Sequence, residues 1–138
     1  MLTKKLIASF IIASFSGIMI CERTQSSDYS LGQHDKVLSD YTQILAIDPI
    51  DPEDARAYIK RAFSHEKLEQ YDLAIADYTQ AISLSPKAAV SYKNRGNIYR
   101  EIGKIEEARK DWEKAASLYQ QQGNIKEYQA IQKQLQEL

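Results

Sequence analysis

The side chains able to do chemistry are few and scattered. His34 and His65 stand 31 residues apart, and the single cysteine, Cys21, lies upstream of both. One thiol and two imidazoles are too few for a Cys/His zinc site, and one cysteine makes no internal disulfide. Asp48, Asp51, Glu53 and Asp54 cluster around Pro49 and Pro52, a carboxylate density that raises the question of calcium. A dedicated calcium loop alternates Asp or Asn ligands about a central glycine and closes on a bidentate Glu. This stretch has no glycine and no such ladder. Acidic residues at a helix start instead offset the partial positive charge of its first turn. The chain also holds no Gly-x-x-x-x-Gly-Lys phosphate loop, His-Glu-x-x-His pair or Gly-x-Ser-x-Gly turn. The expectation is a protein that is not an enzyme, with no catalytic residue, metal or cofactor.

The elements that carry these residues are helical. Of 138 residues, 43% are hydrophobic and 27% charged, with five glycines and three prolines, which suits one compact body and not a disordered chain. A net charge of -1 makes a nucleic-acid partner relying on bulk positive charge an unfavoured reading. The first segment differs from the rest: Lys4 and Lys5 precede fifteen uncharged residues, Leu6 to Ile20. A spanning helix takes about 20 apolar residues, so this reads as a signal peptide or membrane anchor over residues 1–21. Cys21, directly after the run, resembles the lipid-bearing cysteine of a bacterial lipoprotein, although Ile20 stands where that pattern has a small residue. Cleavage, lipidation of Cys21 and an uncleaved anchor stay open. Export or attachment on the periplasmic side of a bacterial membrane follows, with a cytoplasmic location as the alternative. Polar residues 22–33 read as a linker.

Beyond it the chain repeats itself. Asp40-Tyr41-Thr42-Gln43 returns as Asp77-Tyr78-Thr79-Gln80, 37 residues on, and Pro49 returns as Pro86. Ala74, Tyr78 and Ala81 return as Ala108, Trp112 and Ala115, and Tyr58, Ala62 and His65 as Tyr92, Gly96 and Tyr99, all 34 residues on. Within each copy the apolar positions recur every three or four residues, so each is a pair of helices. Breaks fall near Glu69-Gln70, Gly103-Lys104 and Gly123-Asn124. Pro86 ends one helix by excluding helical geometry from the residue before it. Gln120 stands where that proline is due in the next copy, so the last helix there runs on.

A 34-residue helix pair carrying Tyr58, Ala62, Tyr71, Ala74, Tyr78, Ala81 and Pro86, then Tyr92, Gly96, Tyr99, Ala108, Trp112 and Ala115, resembles the tetratricopeptide repeat. The resemblance implies an all-α fold, a short solenoid of antiparallel helix pairs. Residues 55–88 and 89–122 are the full repeats, and 34–54 hold a half repeat (its second helix) with a loop. Residues 123–138 form a C-terminal capping helix whose stripe is Ile125, Tyr128, Ile131 and Leu135. Without its first helix, the half repeat leaves Val37, Leu38, Tyr41 and Ile44 partly uncovered, a surface for self-association as a homodimer or for partner docking.

The same resemblance places one concave groove along the first helices. Its facing residues are Arg56, Ile59, Lys60, Phe63, Glu66 and Lys67, then Val90, Lys93, Asn94, Asn97, Arg100 and Glu101. Five cations against two carboxylates make a basic groove, suited to a protein or peptide partner with an acidic segment. Asn94 and Asn97 offer paired donor and acceptor to a peptide backbone. The function implied is a protein-protein interaction scaffold or adaptor binding an extended peptide or helix. RNA binding by the repeats, or a self-associating assembly factor at the membrane, are the alternatives.

Overall fold

The computed structural model describes residues 32–47 and 54–138. The segment expected to be a signal or anchor, Cys21 with the lipidation considered for it, most of the linker, and Asp48, Asp51 and Glu53 lie outside those residues. The contacts below belong to the unit His34–Leu138. Helix α1 covers 32–47. It is followed by α2 (Asp54–Lys67), α3 (Tyr71–Leu84), α4 (Ala89–Glu101), α5 (Ile105–Gln121) and α6 (Ile125–Gln136). Among the described residues there is no strand.

The helix ends follow from local chemistry. Asp54 lies in the first turn of α2 and His65 and Lys67 in its last, each sign matching the helix dipole. Glu106 and Glu107 open α5. The Asn124 side chain caps α6 by accepting from the Glu127 backbone N–H at 3.3 Å. Helix α3 stops at Leu84, short of Pro86, whereas α5, with no proline to stop it, runs 17 residues against 14.

Three turns share one construction. The backbone N–H of Gln70 donates to His65, that of Lys104 to Tyr99, and that of Asn124 to Tyr119, at 2.9, 2.7 and 2.9 Å. Such a six-to-one bond closes a helix through a residue in the left-handed region. Gly103 and Gly123 occupy it with φ of 80° and 72°, but in the first turn it is Glu69, with φ of 57°. A side chain there costs about 1 kcal/mol relative to glycine.

The pairs α2–α3 and α4–α5 form the largest packings, and α3 on α4 and α5 on α6 stack them in chain order. One core cluster joins Ala62, Ala74, Tyr78 and Ile98, and the other joins Ala89, Trp112, Ala115, Ala116, Leu118, Tyr119 and Ile131. Gly96 is required by the second: a Cβ there would lie 2.6 Å from Trp112 Cδ1. Ile131 is fully buried and Tyr128 and Leu135 pack beside it, but Ile125 is 53% exposed and leaves the expected stripe. At 3.6 residues per turn it sits about 120° around α6 from Ile131. On α1, Leu45 is buried, Val37, Leu38 and Tyr41 are half-buried, and Ile44 and Ile47 are 48% and 85% exposed.

Candidate peptide-binding groove

The first helices are held in place by a repeated ion pair. Arg61 Nε and Nη2 donate to Asp77 Oδ2 and Oδ1, both at 2.7 Å, and Arg95 does the same to Asp111 at 2.7 and 2.8 Å. The guanidinium's remaining arm reaches the preceding pair, from Arg95 Nη1 to Thr79 Oγ1 at 2.9 Å and from Arg61 Nη1 to Thr42 Oγ1 at 3.5 Å. Each arginine therefore ties its own second helix to the one before it. The fork matches a carboxylate in two places, which fixes angle as well as distance. The sequence carried the signal in the return of Arg61 as Arg95 beside that of Asp77 as Asp111, and reading rings and small residues alone misses it.

On this frame the twelve groove residues separate into two sets. Arg56 and Lys60, one turn apart on α2, are exposed. Phe63 follows them, 41% exposed, with the Lys67 ammonium 4.9 Å from its ring centre and His34 of α1 at its edge. Ile59 packs against the α2–α3 core, and Val90 is 36% exposed at the start of α4.

The central polar residues are partly engaged within the fold. Lys93 Nζ pairs with Glu127 Oε2 of α6 at 2.8 Å. Asn94 Nδ2 donates to the Tyr78 hydroxyl at 3.2 Å, and Trp112 Nε1 donates to Asn97 Oδ1 at 3.0 Å. Each amide therefore spends one of its two groups on a buried ring, which leaves Asn94 Oδ1 as an acceptor and Asn97 Nδ2 as a donor. A neutral Tyr78 hydroxyl in turn donates to Glu66 Oε2 at 3.1 Å. Burial, and then the Glu66 charge, push that phenol far above the ordinary tyrosine range and keep it a donor. Glu127 is held below the usual carboxylate range by its hydrogen bond from Lys93. Because α6 lies beside α4 and delivers this carboxylate, the groove is less basic than its first helices alone suggest.

Glu66, Lys67, Asn97, Arg100 and Glu101, drawn from two repeats, converge on one recess of about 360 Å³. Glu69, Tyr71, Ile98 and Gln134 complete its wall. Glu69, Tyr71 and Gln134 lie outside the first-helix positions of the two full repeats, so groove reasoning by repeat position does not reach them. The Tyr71 hydroxyl is raised by partial burial and then by the charges of Glu69, Glu101 and Glu66. Among the described residues no group of three or more His, Cys, Asp and Glu is arranged to hold a metal ion.

Stacked helix pairs with Ala, Gly, Tyr and Trp at fixed steps of 34 define a class of helical repeat. Residues 55–88 and 89–122 each match the tetratricopeptide repeat, and the chain belongs to that family. No curated protein matches it. The structure is similar to the second tetratricopeptide domain of Spaghetti (RPAP3) bound to the HSP90 peptide SRMEEVD. That likeness has 29% identity over 65% of this chain and 81% of that one, with a TM-score of 0.59. It also resembles the type III secretion translocator chaperone SycD of Yersinia enterocolitica, at 19% identity, 78% and 73% coverage and TM-score 0.70. PcrH in complex with the chaperone binding region of PopD gives 16%, 78%, 80% and 0.71. These last two likenesses establish the fold.

Proposed function

We propose that the protein is a non-catalytic interaction module that binds an extended segment of a partner along the concave face of α2 and α4. The observation that carries this reading is the recess, where side chains of both repeats and of α6 converge on one cavity. The Spaghetti domain, seen with a peptide bound, supports it. Arg56 and Lys60, exposed on the outward turns of α2, supply the attraction for acidic residues of the segment. The basic and apolar start of the chain, Lys4 and Lys5 before Leu6 to Ile20, supports a site of action outside the cytoplasm, and mass spectrometry of the mature N-terminus tests it. Among the described residues no helix is long and apolar enough to cross a membrane.

The purified chain on an array of random ten-residue peptides tests the groove. It is expected to select a recurrent sequence, and Arg56→Glu with Lys60→Glu is expected to abolish the acidic part of that selection while leaving the circular dichroism unchanged. Selection unaltered by both changes removes α2 from the binding face. A second reading, self-association, rests on the exposure of Ile44 and Ile47 on α1. A single monomeric species in ultracentrifugation at high concentration counts against it.

A further inference from the structure

Helix α1 stands to α2 as α3 stands to α4. Arg61 of α2 reaches Thr42 of α1 at 3.5 Å, and Arg95 of α4 reaches Thr79 of α3 at 2.9 Å. The Asp-Tyr-Thr-Gln run that holds both threonines puts Asp40 and Tyr41 in the places of Asp77 and Tyr78. Counting outward from that run matches Val37 with Ala74 and Ile44 with Ala81.

The two faces differ in what covers them. On α3, Ala74, Asp77, Tyr78 and Ala81 are buried, and α2 supplies Ala62 and the Arg61 fork. On α1, Val37 and Tyr41 are half-buried, while Asp40 and Ile44 are exposed. Among the described residues no helix precedes α1, and no cation lies within ion-pair distance of Asp40. A purely apolar partner would bury that carboxylate unpaired, at a high desolvation cost.

The same chain shows twice what covers such a face. Arg61-Ala62 lies on Asp77-Tyr78, and Arg95-Gly96 lies on Asp111-Trp112. In each, the guanidinium forks the aspartate and the next residue is small where the ring approaches. A tyrosine three residues earlier flanks the guanidinium, Tyr58 at 5.5 Å and Tyr92 at 5.9 Å. Asp40-Tyr41 therefore fits the order Tyr-x-x-Arg-Ala. The last helix of a second copy does not supply it, since α6 carries no arginine, and the arginines of α2 and α4 are engaged internally.

We propose that Val37, Asp40, Tyr41 and Ile44 form a docking face for a helix of another protein, one carrying an arginine followed by alanine or glycine. An aromatic residue three positions before the arginine completes the match. Such a helix finishes a repeat in trans, with the arginine forking Asp40 and the small residue lying against Tyr41. The face belongs to the leading end of the array and does not depend on the groove reading.

A fluorescent peptide with the α2 sequence, Asp54–Lys67, stapled as a helix, is the probe, titrated with the full chain and read by anisotropy. Saturable binding is expected, and the peptide carrying Arg61→Glu is expected to bind at least about tenfold more weakly. The chain carrying Asp40→Arg is expected to reverse that order, rejecting the first peptide and accepting the second. Its circular dichroism should be unchanged, because Asp40 is exposed. A peptide that merely displaced the chain's own α2 would be indifferent to Asp40. Binding indifferent to Asp40, or no binding, overturns the proposal. A dimer in ultracentrifugation that Ile44→Glu dissociates, with no peptide bound, overturns it in favour of a second copy.

Discussion

The α2–α3 and α4–α5 pairs use the same scaffold and fill it differently. Both lock through an arginine fork on an aspartate, Arg61 on Asp77 and Arg95 on Asp111. In the first pair the next layer is Ala62 against Tyr78, whose hydroxyl bonds to Glu66 and Asn94; in the second, Gly96 lies under Trp112, whose indole bonds to Asn97. The turn residue changes from Glu69 to Gly103. What is held constant is the link that sets helix angle. What varies is ring size, paid for by removing a methyl group opposite, and the side chain offered to the groove.

The constant part should be the costliest to break. Asp77→Ala and Asp111→Ala each leave a half-buried guanidinium without its carboxylate, and each is expected to cost about 3 kcal/mol in urea unfolding. Closely matching losses confirm that the two forks are equivalent, and a loss confined to one pair breaks the comparison.

The ring exchange comes next. Gly96→Ala places a methyl 2.6 Å from Trp112 and should cost about 2 kcal/mol through overpacking. Adding Trp112→Tyr converts this layer to the Ala62–Tyr78 arrangement and should recover part of the loss. The recovered part is a coupling energy measured by the double-mutant cycle; strict additivity would show that ring and glycine are not matched.

A smaller effect of opposite sign belongs to the turns. Glu69→Gly should raise stability by about 1 kcal/mol, while Gly103→Ala should lower it by a similar amount. The calorimetric midpoints of the two variants should move in opposite directions.

The smallest effect concerns α6. The folded-state pKa of Glu127 is depressed by Lys93, so its contribution is present above the ordinary glutamate range and fades as pH falls through the lower folded value. Both side chains are about a quarter to a third exposed, which keeps Glu127→Gln to a few tenths of a kcal/mol at neutral pH. The difference from the parent chain should vanish in acid.

The sequence revealed the solenoid because helix pairing depends on spacing and residue size, and Ala62, Gly96, Tyr78 and Trp112 recur on schedule. It was silent on which groove residues are free. Whether Asn97 meets a ligand or the Trp112 indole depends on how closely two axes approach, and that is a matter of packing. The pairing of Lys93 was hidden for a related reason, since Glu127 joins it only because α6 lies beside α4. The burial of Ile131 and exposure of Ile125 likewise follow from the rotation of α6 on α5, which a stripe of apolar letters leaves undetermined by a fraction of a turn. Glu69 was visible only as a break, and it joins the site because the turn it occupies borders the recess.

The two arginine forks are not loaded alike along the array. Arg95 grips Thr79 at 2.9 Å, while Arg61 stands 3.5 Å from Thr42. Each guanidinium is a rivet through three helices, so opening the superhelix like a stretched spring must first slip its threonine arm. The slack rivet is at α1, and amide protons there should exchange before those of α3, making the leading end the place where the coil begins to flex.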